Sequence, residues 1–354
     1  MREGIERLRG KLNSSFSFLS LFTFTYLPKN YMQNFRTTFQ IPPSKYKISL
    51  DYQILTLGSC FADVVGNQLR DNKLDVLVNP FGTLFNPLSI FKILSPSYTQ
   101  ADEHLYVENQ KMWFHYDFHS QFISNSKENL KEQINQTIYA INSLLPTTNC
   151  LIITFGTAFI YRLLNPQTYI ANCHKMPNSL FEKELLSVKD ICKGFAILHA
   201  ALKEINPDLQ VILTVSPVRH TKDGVPENQV SKSILRTACH YLTTDYEDVE
   251  YFPSYEIMMD DLRDYRFYKP DLIHPNEVAE QYIFEHFAET YFDEELKDFI
   301  KEWASIQTSL NHRSFNEKSE SHQVFLRKLL GDLTKISGKV DVREEVNFVR
   351  QKLI

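Results

Sequence analysis

Five short apolar runs, rich in β-branched residues, punctuate the chain: 52–59 (YQILTLGS), 74–82 (LDVLVNPFG), 150–159 (CLIITFGTAF), 209–220 (LQVILTVSPVRH) and 248–256 (DVEYFPSYE). Each is continuous and not alternating, which is the pattern of a strand buried on both faces of a parallel sheet. Between them apolar positions recur at helical spacing over 63–70, 128–145, 185–205, 229–242 and 275–292. Pro275 is read as the first helical residue of the last of these, where its missing N–H costs nothing. Strand and helix in alternation predict an α/β domain with a doubly wound sheet.

The stretch 88–124 breaks this rhythm. Its core, EHLYVENQKMWFHYDFHSQF, reads as an insertion containing a hairpin that roofs a site. Beyond residue 292 the pattern becomes helical and charged (EELKDFIKEWASI, then SESHQVFLRKLLGDLTKI), which predicts a helical C-terminal appendage over 293–354. Residues 34–292 are the main domain and 1–33 an N-terminal extension. No internal repeat or low-complexity segment interrupts them. Ligands of open α/β sheets bind beyond the carboxyl ends of the strands. The residues just past these strands are Gly58 and Ser59, the 79–82 turn, Gly156 and Thr157, and the 216–220 turn. In a parallel sheet they converge on one rim.

Composition narrows the class. With 43% apolar residues in 354, the chain can bury a large core. A net charge of −5 without a dense basic stripe gives no footprint for nucleic acid. The five cysteines are odd in number and never at C-x-x-C spacing, so neither a disulfide framework nor a zinc ribbon is implied. A reducing, cytoplasmic setting follows. The apolar run 16–27 resembles a short signal core, but it is rich in Ser and Thr, lacks a small-residue cleavage site and is short for a membrane span. We read translation as starting at Met32, with weak export as the alternative and no stable membrane insertion.

Ser59 stands at a strand-to-helix turn, where unpaired N–H groups and a positive dipole end suit an oxyanion. The same position suits a plain N-cap, although Ala62 stands where a capping box wants Glu or Gln. A nucleophilic serine needs a base. Asp271 and His274, three residues apart just before a helix, let a carboxylate orient an imidazole, or else form an ordinary surface loop. His220 and Arg219, at the end of the fourth strand, line the same rim as substrate contacts; a structural histidine is the alternative for His220. Cys60 is read as core, since neighbours on a helix point about 100° apart. The contiguous Cys173–His174 pair lacks the spacing of a metal site, so none is expected. The charged run DDLRDYRFY (260–268) reads as a scaffold of local ion pairs behind the Asp271 loop.

Taken together these stretches resemble a known family. GSCFA at 58–62 is similar to the signature of the GSCFA family. The resemblance continues through NPFGTLFNP (79–87), FGTAFIY (155–161), NCHKMP (172–177), SPVRH (216–220), YFPSYEIMMDDLRDYRFY (251–268) and DLIHPN (271–276). That family is in turn similar to the SGNH, or GDSL-like, hydrolases. The resemblance implies a three-layer, flavodoxin-like fold with Ser59 as nucleophile, Asp271 and His274 as its partners, and the Gly82 N–H in the oxyanion hole. The third superfamily block departs: Gly156 is followed by Thr157 and Ala158, not by a residue and then Asn. Asn172 or Thr157 is expected to replace the missing donor. One lost side-chain donor costs ~10²–10³ in rate. The implied activity is ester hydrolysis without metal or organic cofactor, on a small-molecule or carbohydrate ester. A non-catalytic carbohydrate- or acyl-binding module and an acyltransferase are the alternatives.

Overall fold

The apolar runs form one parallel sheet in the computed structural model, which describes residues 36–354. The apolar run 16–27 and the start at Met32 lie outside the described residues. The sheet strands are β1 (Gln53–Gly58), β2 (Asp75–Val78), β5 (Cys150–Phe155), β9 (Gln210–Val215) and β10 (Val249–Phe252), in the order β2-β1-β5-β9-β10. Every neighbouring pair is parallel, with Gly58 opposite Thr154 and Phe155 opposite Val215. Counting these strands alone, the order is 2-1-3-4-5, the flavodoxin order. The strand order therefore reverses between β1 and β5, and the crevice at their carboxyl ends is the topological switch point.

Period-two alternation sends the strand residues to two cores. Leu55, Leu57, Leu151, Ile153 and Leu213 face one layer, built from α2 (Pro87–Leu94), α3 (Lys127–Leu144), α4 (Val188–Ile205) and α5 (Val225–Asp245). Ile54, Ile152 and Ile212 face the other, against α1 (Cys60–Asp71) and α6 (Glu277–Tyr291). Three layers result, with the sheet buried on both faces as its continuous runs require.

The insertion contains the expected hairpin, β3 (Tyr106–Asn109) with β4 (Met112–His115). The segment after it packs over Gly82: a Cβ built there would lie 2.6 Å from the His119 Cβ. Three readings are corrected. Helix α2, capped by Asn86 with Pro87 in its first turn, occupies the first residues of the stretch read as an insertion. The third strand stops at Phe155, and 159–185 forms a separate antiparallel sheet of β6 (Phe159–Leu164), β7 (Gln167–Ile170) and β8 (Phe181–Leu185). Pro275 precedes its helix by two residues, because the Asn276 side chain takes the cap by accepting from the Ala279 N–H at 3.1 Å.

Helices α7 (Glu294–Leu310), α8 (Glu320–Ile336) and α9 (Arg343–Lys352) share the second core through Phe299, Trp303, Leu329 and Leu333. Trp303 Nε1 donates to the carbonyl of Asp71 at 2.7 Å, at the end of α1 away from the rim. Among the described residues no helix is long and apolar enough to cross a membrane.

Candidate functional site

Strand β1 ends on a residue that only glycine can fill. Gly58 has φ +133°, and a Cβ there would lie 2.1 Å from the Thr154 carbonyl oxygen of the neighbouring strand. This close approach turns the chain into α1 with Ser59 at its N-cap. Ser59 donates its N–H to that same Thr154 carbonyl at 3.0 Å, and its Oγ accepts from the Phe61 N–H at 3.4 Å. Ser59 is fully buried. It is thus a weak N-cap at the positive end of a 12-residue helix, and its own carbonyl accepts the Ala62 N–H at 2.7 Å. Cys60 is half-buried, and burial, followed by the Asp63 charge, pushes its thiol pKa up, against thiolate formation.

Asn79, left-handed at φ 42°, pins the same turn from β2. Its Oδ1 accepts the Gly58 N–H at 3.1 Å, and its Nδ2 donates to the Gly58 carbonyl at 3.3 Å and to Asp63 Oδ2 at 3.2 Å. The Asn79 carbonyl in turn accepts the Gly82 N–H at 2.7 Å. The Gly82 donor expected in the oxyanion hole is therefore engaged in its own turn. Thr157 shares its hydroxyl with Ser231 Oγ at 3.0 Å and accepts the Phe159 N–H at 3.1 Å. Asn172 donates to Ser120 Oγ of the roof at 3.1 Å and accepts the His174 N–H at 2.9 Å.

The Asp271–His274 pair has formed. His274 Nδ1 lies 2.7 Å from Asp271 Oδ2. Asp271 Oδ1 accepts the N–H groups of Ile273 at 2.9 Å and of His274 at 3.0 Å. Those backbone donors, then the His274 side chain, hold the Asp271 carboxyl down to about 2, so it remains ionised. With Nδ1 committed to the carboxylate, Nε2 is the nitrogen left for proton transfer. His274 makes no hydrogen bond to Ser59.

Arg219 holds this loop. Its Nη2 donates to the Leu272 carbonyl, its N–H donates to the Ile273 carbonyl at 3.3 Å, and its guanidinium lies 4.6 Å over the Tyr268 ring. Leu272 itself is left-handed at φ 58°, a strained setting that such bonds help to hold. His220 donates its N–H to Asn228 Oδ1 at 2.9 Å and sets its ring edge-on to Phe85, 5.0 Å between centroids. Burial first, then the charges of Lys232 and His274, pushes the His220 imidazole down to about 4. The charged run behind the loop pairs locally: Arg263 with Asp260 at 2.5 Å, and Arg266 with Asp264 at 3.7 Å.

The sequence reading did not single out Asn79 or Lys232. Lys232 lies on α5 and donates its Nζ to the carbonyls of Gly156 and Ser216, both at 2.8 Å. The signal was present: Lys232 falls three residues before Leu235 on the buried stripe of α5, where a solvated lysine does not belong.

A family model described as "GSCFA family" matches residues 53–287, and one described as "GSCFA domain protein, C-terminal domain" matches 303–354. No curated protein matches the chain in sequence. Solved structures similar to it include a carbohydrate esterase family 3 protein from Talaromyces cellulolyticus, at 11% identity and TM-score 0.33, covering 71% of this chain and 98% of that one. A mutant acetyl esterase with acetate ion aligns at 12% identity and TM-score 0.33, with the same coverage. Likeness at that level is loose, and the chemistry stands on the residues of this chain.

Proposed function

The chain belongs to the GSCFA family, and we propose that it is a serine ester hydrolase whose substrate is an O-acylated carbohydrate. One observation carries the reading: an ionised Asp271 orients His274 through Nδ1 on the rim that also carries Ser59 at a helix N-terminus. In the proposed reaction Ser59 Oγ attacks the acyl carbon while His274 Nε2 takes its proton. The proton then passes to the departing alcohol oxygen, leaving an acyl-serine. Water, deprotonated by the same Nε2, adds to the acyl carbon, and the acid leaves as Ser59 recovers its proton. The positive dipole end of α1, where Ser59 is the N-cap, favours the negative charge that develops.

Ser59 is fully buried, so an acyl carbon reaches Oγ only after a covering group moves. The Tyr265 ring, 64% exposed beside the base loop and 5.5 Å from the Arg219 guanidinium, offers a flat apolar face for a sugar ring. A non-catalytic binding module is the second reading, favoured by the engaged donors of Gly82, Thr157 and Asn172. Hydrolysis of p-nitrophenyl acetate and of acetylated oligosaccharides separates the two. Turnover that disappears in Ser59→Ala supports the hydrolase; oligosaccharide binding without turnover by the intact chain supports the module.

A further inference from the structure

Lys232 is 1% exposed, and its ammonium has two carbonyl acceptors and no carboxylate within ion-pair distance among the described residues. Burying an unpaired charge is costly, and a methionine of similar volume would fill the same space without that cost. Packing therefore does not account for a lysine here. Its two acceptors do. Gly156 begins the turn after β5, two residues past Thr154, whose carbonyl holds the Ser59 N–H. Ser216 begins the turn after β9 that carries Arg219 and His220. Arg219 in turn grips the Leu272 and Ile273 carbonyls of the base loop. The ammonium thus ties the strand end behind the nucleophile to the turn that holds the base.

The geometry points to Lys232 as a charged positioning residue of the proposed Ser59 site. It sets the Asp271–His274 loop against Ser59, and its buried positive charge supplements an oxyanion hole that lacks the block-three asparagine. This inference rests on the hydrolase reading. Burial pushes Lys232 down to about 7, so the charge is lost as pH rises through neutrality. The other titratable groups facing it do not change charge there. His220 is held down to about 4, whereas Cys60 and Tyr255, whose ring lies 5.5 Å from Nζ, are both raised by burial. Reactivity should therefore fall on the alkaline side as Lys232 loses its proton.

The test compares the full chain with Lys232→Met and Lys232→Arg in two measurements. The first is the rate of fluorophosphonate labelling across pH 5 to 10. Lys232→Met should lose up to about 10²-fold at neutral pH, the effect of a displaced catalytic group, and should lose the alkaline fall. Lys232→Arg should restore part of the rate with no alkaline fall, because guanidinium stays charged. The second is hydrogen exchange over 216–220 and 265–276, which Lys232→Met should accelerate at an unchanged melting temperature. If the wild type labels Ser59 and Lys232→Met labels equally fast with the same profile, the inference is overturned while the hydrolase reading survives. If the wild type does not label, the hydrolase reading fails. Unchanged loop exchange in Lys232→Met would then overturn the positioning role as well. If Lys232→Met does not fold, a Lys232→Arg profile that retains the wild-type alkaline fall overturns the inference.

Discussion

Substituting Gly58 by alanine tests the turn that presents Ser59. Its Cβ would start 2.1 Å from the Thr154 carbonyl oxygen, whereas real Cβ contacts do not fall below 3.0 Å. One strand end must therefore retreat by at least 0.9 Å (3.0 minus 2.1). That carbonyl accepts the Ser59 N–H at 3.0 Å, so the retreat strains or breaks the bond, at about 1 kcal/mol. Holding alanine at φ +133° adds about 1–3 kcal/mol of backbone strain. We expect Gly58→Ala to lose about 3 kcal/mol in urea unfolding, and fluorophosphonate labelling to slow by up to about 10²-fold from the displaced Ser59. Gly331→Ala is the matched control: nothing lies within 4 Å of its Cβ, and it sits inside α8, so it should gain about 0.5–1 kcal/mol. A loss under about 1 kcal/mol in Gly58→Ala would refute the strand-contact reasoning, since even the single hydrogen bond is worth that much.

Asp271→Asn keeps an oxygen for the Ile273 and His274 N–H groups but turns an amide donor toward His274 Nδ1, favouring the wrong tautomer. By analogy with serine-protease triads, kcat should fall by up to ~10⁴, with KM little changed and the fold intact by circular dichroism; a rate within about threefold of wild type would remove Asp271 from the site. His220 and His174 are each held down to about 4 by burial, below the ordinary value near 6.5. The unfolded chain protonates these imidazoles first, so stability should fall as pH drops from about 6.5 to 4. Replacing His220 by Gln should flatten part of that slope in urea titrations; an unchanged slope would mean His220 is not buried as a neutral ring.

The five sheet strands and most of the helices surrounding them were legible because a strand buried on both faces must be apolar throughout, and that signal survives without an alignment. Ile152 and Ile153 face opposite layers, and both are fully committed to core. The sheet of 159–185 was hidden because its strands are short and half-exposed, with Tyr161 and Leu164 facing solvent, so no apolar run marks it. The site was legible in part. A carboxylate three residues before a histidine is a local arrangement, and Asp271 and His274 do pair. The oxyanion donors are a tertiary property. Whether the Gly82 N–H is free depends on the Asn79 carbonyl, and the hydroxyl of Thr157 depends on Ser231 of a distant helix. Arg219 is read as a substrate contact from its place just past the fourth strand; its bond to the Leu272 carbonyl is a tertiary contact that no local pattern marks.

The central claim is that Ser59 is an activated nucleophile, and it is tested most directly by mapping the adduct of a fluorophosphonate probe. The intact chain is treated at neutral pH, digested, and the modified peptide is identified by mass. The account predicts a single stoichiometric adduct on Ser59, absent from Ser59→Ala and unaffected in Cys60→Ala, because burial disfavours the Cys60 thiolate in the intact chain. A well-folded chain that takes no adduct, or takes it on Cys60, would contradict it.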